Sequence, residues 1–236
     1  MHRFYFPQQI DKEVLILREK PILHQVKNVL RLKKGEKAVF FSDRSEYFGY
    51  DFVFELKNID GGSANFMFRE KVENTREPSR KLVLFQSLIK KDKFEWVLEK
   101  ATEIGVSEIV PVLSARSEKK SLNQERCEKI LKEAAEQSGR AFIPKLHPVT
   151  SLDRAIAKAA EPNTKTYFAT LSEKENMIRG VGDRAINLFI GPEGGWEEKE
   201  EFSAHHHQNF EIISLGRLTL RAETAAIAAS YTLLWG

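Results

Sequence analysis

The sequence predicts an α/β protein in two parts, an N-terminal β-barrel and a C-terminal parallel sheet with helices on both faces. Residues 1–72 consist mainly of short segments rich in β-branched and aromatic residues, which favour strands. Beyond residue 80, strand-like and helix-like segments alternate, which is typical of a parallel sheet. Residues 73–80, ENTREPSR, are polar and lack an apolar period. We therefore expect a linker there and a second domain over residues 81–236.

The N-terminal part contains several strand-like segments, which are HRFYF, VLIL, KAVFF, YDFVFELKNI and ANFMFREKV. The Asp-Gly-Gly stretch at 60–62 separates the last two and predicts a hairpin turn. One helical insert, PILHQVKNVLRL, begins with a proline and interrupts the strands. Its apolar residues Ile22, Val26, Val29 and Leu30 share one face of an α-helix. Short strands with a single helix predict a small barrel.

The C-terminal part alternates between the two periods. Strand-like segments are KLVLFQSLI, EIVPVL, KTYFAT, INLFIG and FEIISLG. Helix-like segments are KFEWVLEKATEIG, QERCEKILKEAAEQS, SLDRAIAKAA, EEKEEFSAH and AETAAIAASYTLLWG. Gly105 stands where a helix C-cap is expected and Ser151 where an N-cap is expected. The pattern predicts a parallel sheet that ends in an apolar helix.

Composition and charge narrow the class of protein. The net charge is only +3, and the single cysteine, Cys127, has no partner for an internal disulfide. No apolar run approaches the roughly 20 residues that span a bilayer, and the N-terminal MHRFYFPQQ lacks the apolar core of a secretory leader. These features predict a cytoplasmic protein. Positions 18 to 37 hold seven Lys and Arg residues against two Glu, which can attract phosphates; a solvated surface explains them equally well.

A glycine-rich turn, GPEGG at 191–195, follows the strand-like segment INLFIG. A phosphate-binding loop needs a lysine and a hydroxyl residue after its glycines, and a dinucleotide fingerprint needs Gly-x-Gly-x-x-Gly; the turn matches neither. Glu193 would repel a phosphate but suits a cation or a ligand with hydroxyl and amino donors. Glycines allow the backbone to approach a ligand closely. S-adenosyl-L-methionine, with its sulfonium, ribose and amino-acid tail, fits these requirements, and a plain tight turn is the alternative.

A second glycine-bearing loop follows the next strand-like segment, in IISLGRLTLRAET. Gly216 is followed by Arg217 and Arg221, and Glu223 lies in the first turn of the terminal helix, where a carboxylate suits the helix dipole. We expect Thr219 or Thr224 to cap this helix. Two basic side chains and a carboxylate beside a glycine loop indicate an active site, and ordinary helix-end electrostatics is the alternative.

These two loops, in this order, resemble the RsmE family of the SPOUT methyltransferases. That family carries Gly-Pro-Glu-Gly-Gly and Leu-Gly-x-x-x-Leu-Arg-x-Glu-Thr-Ala, which match residues 191–195 and 215–225 here. The stretches KATEIGVSEIVPV, EAAEQSGRAFIP and HQVKNVLRLKKGE also resemble segments of the family. One mild departure is Ile104, where leucine is commoner. The resemblance covers nearly the whole chain.

The resemblance implies an N-terminal PUA-like barrel for RNA and a C-terminal SPOUT domain whose backbone forms a trefoil knot. It implies that S-adenosyl-L-methionine binds bent in the knot, with its adenine held by backbone groups of the two loops. It also implies a homodimer that methylates N3 of a uridine in the decoding region of 16S ribosomal RNA. The expected partner is that RNA or the small ribosomal subunit. No membrane or metal is expected to take part, and the histidines at 205–207 are interpreted as a solvated helix end.

Candidate residues follow from the loops and the resemblance together. We expect Arg221 to stabilise the negative charge that develops on the uracil oxygens. Glu223 is the candidate for the base that takes the N3 proton, or for the group that orients Arg221. The candidates for cofactor binding are Leu171, Ile190, Gly191, Pro192, Glu193, Gly194, Gly195, Leu215, Gly216, Leu218 and Leu220. The candidates for RNA binding are Arg3, Lys27, Arg31 and Arg140.

Two other functions stay open. A protein that has kept the fold and lost the chemistry would only bind RNA, and the intact loops at 191–195 and 215–224 argue against it. A SPOUT enzyme that acts on a ribose 2′-hydroxyl or on tRNA is the second alternative. The ribose enzymes carry an Asn-x-Gly-x-x-x-Arg segment early in the domain, and we do not find it in this sequence.

Overall fold

A computed structural model describes residues 1–10, 13–161, 164–179, 182 and 185–236 of the chain. The chain forms two compact units. The first unit comprises Met1–Glu77 and Ala135–Ile143, and the second comprises Pro78–Ala134 and Pro144–Gly236. The sequence prediction assigned residues 135–143 to the C-terminal domain. Their contacts with residues far away in the sequence, which no local pattern reveals, group them with the first unit.

The first unit contains a five-stranded sheet with the order β1-β3-β4-β5-β2. Its strands are β1 His2–Tyr5, β2 Val14–Leu17, β3 Lys37–Phe41, β4 Tyr50–Asp60 and β5 Ser63–Glu73. Strand β1 runs parallel to β3, and the other pairs are antiparallel. The predicted hairpin turn is confirmed, because Asp60 pairs with Ser63 on either side of the two glycines.

Phenylalanine rings fill the core of the first unit. Phe40 is fully buried, and its ring centroid lies 5.6 Å from that of Phe4, 5.5 Å from Phe54 and 5.2 Å from Phe66. The last two pairs meet edge to face, the arrangement that aromatic quadrupoles favour. The alternation of apolar residues in the sequence therefore places one face of the sheet inside the unit.

The helical insert of the first unit differs from its predicted form. Helix α1, Lys20–His24, continues directly into a π-helix, Gln25–Val29. The wider π turn changes the face on which later residues lie, because it has more residues per turn than an α-helix. Ile22 and Val26 are buried as predicted, whereas Val29 is 61% exposed. The expectation that Val29 shares the apolar face is therefore wrong.

The second unit contains a sheet with the order β12-β10-β11-β6-β7-β8, in which β9 also pairs with β7. Its strands are β6 Lys81–Ser87, β7 Glu108–Leu113, β8 Lys145–Leu146, β9 Thr150–Ser151, β10 Lys165–Ala169, β11 Ala185–Ile190 and β12 Phe210–Ile213. All of its strand pairs are parallel, which confirms the predicted parallel sheet.

Helices cover both faces of this sheet, as its doubly buried strands require. The helices beyond residue 80 are α2 Lys91–Ile104, α3 Gln124–Ser138, α4 Leu152–Ala159, α5 Glu198–His205 and α6 Ala222–Trp235. Phe85 of β6 lies in one core cluster with residues of α4. Leu82 and Leu84 alternate to the opposite face and are also fully buried, and α6 contacts β6 and β11.

The helix ends test the capping predictions. Gly105 has φ 109° and caps α2, and the hydroxyl of Ser151 accepts from the backbone N–H of Arg154 at α4; both predictions are confirmed. The prediction for α6 is wrong, because its N-cap is Arg221 and no side chain caps it. Within the described parts of the chain, no helix combines the length and apolar character needed to cross a bilayer.

Candidate active site

Three loops of the second unit meet at one edge of the sheet. Strands β11, β10 and β12 are parallel neighbours, so the segments that follow them emerge at the same edge. These segments line a cavity with about 700 Å³ of empty space, including the part that is open to solvent. Ala222 and Ala225 of α6 also line it. The two glycine-bearing loops of the sequence therefore do share one pocket.

Most of the candidate cofactor residues line this cavity. They are Leu171, Ile190, Gly191, Pro192, Glu193, Gly195, Leu215, Gly216, Leu218 and Leu220. Gly194 does not; its carbonyl accepts a hydrogen bond of 2.7 Å from Nη1 of Arg116. Other lining residues were not candidates, among them Ala169 and Thr170 after β10. These two residues directly precede Leu171 and belong to no glycine motif. They reach the site only because β10 lies between β11 and β12 in the sheet.

Backbone geometry explains the glycines of the loop at 191–195. The N–H of Gly195 donates to the carbonyl of Pro192 at 2.9 Å, and Gly195 has φ 68°, a conformation that favours glycine. A Cβ on Gly191 would lie 3.1 Å from ring atoms of Trp196. The Trp196 indole N–H donates to the carbonyl of Ala169 at 2.9 Å. Trp196 therefore packs in the core, lines the cavity and links the loop to the end of β10.

The loop after β12 presents an apolar side chain to solvent. Gly216 has φ 123°, and the backbone of Ser214 is bonded on both sides, to Asn176 at 2.8 Å and to Ile178 at 3.0 Å. Leu218 is 81% exposed although it lines the cavity. An exposed apolar side chain at the edge of an open cavity suits a flat apolar ligand group such as a base.

A charged cluster lies beside the cavity. Nζ of Lys93 on α2 is 3.0 Å from Oε1 of Glu193 and 3.7 Å from Oε1 of Glu223. The hydrogen bond to Glu193 is the main cause that raises the pKa of Lys93, and the charge of Glu223 adds to it. Lys93 was not a candidate from the sequence, because it is one of several lysines in KKDKFEW and nothing local distinguishes it.

Glu223 and Arg221 lie at the start of α6 but do not line the cavity themselves. Oε2 of Glu223 is buried and has no hydrogen-bond partner among the described residues. Arg221 is exposed, and within the described ranges no ion pair joins it to Glu223. This arrangement favours Glu223 as a proton acceptor over Glu223 as the group that orients Arg221.

The candidate RNA-binding residues of the first unit divide into two kinds. Lys27 and Arg31 are exposed or partly exposed, and Arg31 lies in an open groove with His2, Lys33 and Lys37. Arg31 also has φ 51°, a strained conformation for a residue with a Cβ. These positions are open to a phosphate.

Arg3 and Arg140 are placed differently. Arg3 pairs with Asp51, its side chain is 9% exposed, and its Nη2 donates to the carbonyl of Arg140 at 2.8 Å. The Arg140 side chain is 5% exposed, with Nε 2.9 Å from Oε1 of Glu77. Both arginines hold the segment 135–143 within the first unit. We retain only Lys27 and Arg31 as candidates for contact with RNA.

The histidines at 205–207 lie at the end of α5, where the ring N–H of His206 donates to the carbonyl of Phe202 at 2.7 Å. In the part of the chain that the structure describes, no group of three or more His, Cys, Asp or Glu is arranged to hold a metal ion.

Comparisons with known proteins agree with the geometry. The family model of the RNA methyltransferase domain matches residues 75–234. A relative from Rickettsia conorii, named ribosomal RNA small subunit methyltransferase E, is 33% identical over 213 residues, which are 88% of this chain and 84% of the relative. The protein of the same name from Bacillus subtilis is 27% identical, over 97% of this chain and 94% of its own.

Solved structures are similar over almost the full length. One is a ribosomal RNA small subunit methyltransferase E from Neisseria gonorrhoeae bound to S-adenosyl methionine, with a TM-score of 0.86 and 29% identity over 98% of this chain and 95% of that one. Another is a methyltransferase from Legionella pneumophila in complex with the same cofactor, with a TM-score of 0.83 and 27% identity over 97% of this chain and 94% of that one.

Proposed function

Because the chain belongs to the RNA methyltransferase domain family, we propose that it methylates N3 of a specific uridine in the decoding region of 16S ribosomal RNA. The methyl donor is S-adenosyl-L-methionine. One observation carries the proposal: the GPEGG loop and the loop at 215–220 line a single cavity, and directly after them come an exposed arginine and a carboxylate with one buried oxygen. The ribosomal substrate would place this activity in the cytoplasm.

The lining of the cavity fits the chemistry of the cofactor. The glycine loops bring backbone donors and acceptors close to a ligand, and the leucines at 171, 218 and 220 offer an apolar surface to an adenine. Glu193 supplies a negative charge for a sulfonium or an ammonium group. When bound, the cofactor supplies an electrophilic methyl group on positively charged sulfur.

The acceptor nitrogen carries a proton that must leave when the methyl group arrives. We propose that this proton passes from N3 to Oε2 of Glu223, the buried oxygen to which no described residue donates a hydrogen bond. The N3 electron pair then forms the bond to the methyl carbon, and the pair of the broken carbon–sulfur bond stays on sulfur. Arg221 stabilises the negative charge that O2 and O4 gain during the transfer.

Access to N3 requires an unpaired uridine, because N3 lies on the Watson–Crick edge. The base must therefore be presented out of its stack, and alignment of N3 with the methyl group can supply on the order of 7–11 kcal/mol of the rate enhancement. The first unit is suited to hold the surrounding RNA through Lys27 and Arg31, whose charges attract phosphates.

The finer fold is part of the proposal. We propose that the sheet of the first unit closes as a PUA-like barrel, with domains at residues 1–72 and 81–236 joined by the linker at 73–80. We also propose that the second unit is a SPOUT domain with a trefoil knot that pairs as a homodimer. Tyr231 and Trp235 on α6 are 57% and 51% exposed, which supports a further apolar contact for this helix.

The direct test is to incubate bulk ribosomal RNA and small ribosomal subunits with the protein and isotope-labelled S-adenosylmethionine, and to map the modified nucleotide by mass spectrometry. We expect the label on N3 of one uridine of 16S RNA. Label on a ribose 2′-hydroxyl or on tRNA would assign a different RNA methyltransferase activity. Calorimetric binding of RNA without binding of the cofactor would indicate a protein that has lost the chemistry.

A further inference from the structure

Lys93 occupies a position between the two loops that the proposed reaction uses. It lies in the first turn of α2, and its side chain is 25% exposed. Its ammonium group is close to one carboxylate of the cofactor loop, Glu193, and to one carboxylate of α6, Glu223. It donates a hydrogen bond to Glu193 and lies within ion-pair distance of Glu223, so one cation faces both carboxylates.

The surroundings leave Lys93 as the main cationic partner of Glu223. The elements that pack most closely on α6 are α2, β6 and β11. Strand β11 has no charged residue, and the single charged residue of β6, Lys81, is at its start, where neighbouring Arg80 bonds to Leu233 at the far end of α6.

Other charged residues of α2 are committed elsewhere. Lys91 lies 3.8 Å from Glu95, which also accepts from Arg126, and Lys100 pairs with Glu99 and Glu103. Asp92 is exposed. The charged groups that face Glu223 are therefore Lys93, the Glu193 carboxylate behind it and Arg221, which acts on the same cluster from the start of α6.

The two oxygens of Glu223 have different environments. Oε1 faces the Lys93 ammonium at 3.7 Å, whereas Oε2 is buried and has no partner among the residues that the structure describes. A buried carboxylate oxygen without a hydrogen bond is unfavourable unless a nearby cation or a ligand compensates. Lys93 thus supplies the cation on one side of the carboxylate, and the other side is left for a donor that none of the described residues provides.

We propose that Lys93 is a positioning residue, which holds the Glu223 carboxylate in an orientation in which Oε2 can accept the proton of the substrate. The same ammonium group contacts both Glu223 and Glu193, so one cation positions the proton acceptor and the cofactor loop. This inference rests on the proposed function, in which Glu223 takes the N3 proton of a uridine. The hydrogen bond to Glu193 raises the pKa of Lys93, so the ammonium stays charged at neutral pH.

The kinetic test compares Lys93→Met and Lys93→Arg with Lys91→Met, a control that removes a more exposed lysine of the same turn. Single-turnover methylation is measured with saturating cofactor. For Lys93→Met we expect a rate roughly ten- to a hundredfold lower, because Glu223 loses the cation that orients it and a misplaced reacting group can cost about a hundredfold. Lys93→Arg should recover most of the rate, and the apparent KM for RNA should not change.

A purely structural role predicts another pattern. If Lys93→Met lowered the rate and the affinity for the cofactor together, and Lys93→Arg did not recover the rate, Lys93 would only brace the cofactor loop and the inference would be wrong. A wild-type rate for Lys93→Met would also overturn it.

A second measurement needs neither cofactor nor RNA. The titration of the Lys93 ammonium is followed by ¹⁵N NMR in the free protein, and its signal is identified by its change in Lys93→Arg. We expect Glu193→Gln to lower the pKa of Lys93 more than Glu223→Gln does, since Glu193 makes the closer contact. A pKa of Lys93 that is unaffected by Glu223→Gln would reject the coupling, even if Lys93→Met did not fold. The titration is independent of which nucleotide is methylated, so a failure of the proposed function would be recognised separately.

Discussion

The glycine-bearing loops that line the cavity of the second unit and the basic residues of the first unit are built in different ways. The loops depend on backbone conformation, since Gly195 and Gly216 have positive φ and Gly191 lies against Trp196. The basic residues depend on exposure: Arg31 is open to solvent, whereas Arg140 is enclosed by an ion pair. A site that depends on backbone conformation can be recognised in the sequence by a short glycine motif. A site that depends on charge cannot, because exposed and enclosed basic residues are the same in the sequence.

The largest effect on the methylation rate is expected for Arg221, the exposed arginine at the start of α6. Arg221→Ala should lower the single-turnover rate of methylation by about 10²–10³, as removal of a donor to a developing oxyanion does. Cofactor affinity, measured by calorimetry, should not change, because Arg221 does not line the cavity. Arg154→Ala, at an exposed arginine of α4, is the control and should retain full activity. Full methylation by Arg221→Ala would show that the assigned role is wrong.

A comparable effect, on stability instead of rate, is expected at a buried arginine. Arg140→Met should destabilise the protein by about 3 kcal/mol, because Glu77 loses the cation that compensates its partial burial. Urea unfolding measures this difference. The matched variant Arg31→Met removes an arginine that makes no such pair, and a change within about 0.5 kcal/mol is expected. Equal stability of the two variants would remove the distinction between the two kinds of arginine.

The backbone character of the cofactor loop is tested at a glycine. Gly191→Ala would bring a Cβ to 3.1 Å from Trp196, whose indole is held by the carbonyl of Ala169. Since overpacking costs about 1–3 kcal/mol, we expect cofactor affinity to fall about tenfold by calorimetry. Gly62→Ala is the control, because a Cβ there meets nothing within 4 Å. Unchanged binding by Gly191→Ala would mean that the loop does not need this close packing.

The smallest effects are expected on RNA binding by the exposed basic residues Lys27 and Arg31, because each charge contributes separately. Arg31→Met and Lys27→Met should each weaken RNA binding and reduce its salt dependence by roughly one unit of log–log slope. Filter binding at several salt concentrations measures the slope. Arg69→Met is the control, because Glu55 already neutralises that guanidinium. An unchanged slope in the first two variants would exclude this surface as the docking site for RNA.

The backbone conformation of Arg31 predicts a further effect, on stability, because a φ of 51° favours glycine. Arg31→Gly should weaken RNA binding as much as Arg31→Met does, yet leave the protein slightly more stable, by about 0.5–1 kcal/mol. Thermal unfolding of the two variants side by side measures the difference. Equal stability would show that the left-handed conformation is not strained here.

The sequence by itself determined most of the strands and helices in their order along the chain, the parallel sheet and two of the three loops that line the cavity. These features depend on local periodicity and on backbone conformations that few residues adopt, so short segments report them reliably. The same local reasoning was wrong for the cap of α6 and for Val29. Helix ends and turn types depend on a balance of small energies that packing can reverse.

Only the tertiary structure decided what each charged side chain does. Arg3 is paired with Asp51, which is 48 residues away, and Lys93 meets Glu193 across 100 residues. Burial and ion pairing are set by residues that are distant in the chain, so the local sequence around an arginine does not show whether its side chain is enclosed or exposed. For the same reason Glu223 was a candidate from the sequence, whereas Lys93, the cation 3.7 Å from it, was not.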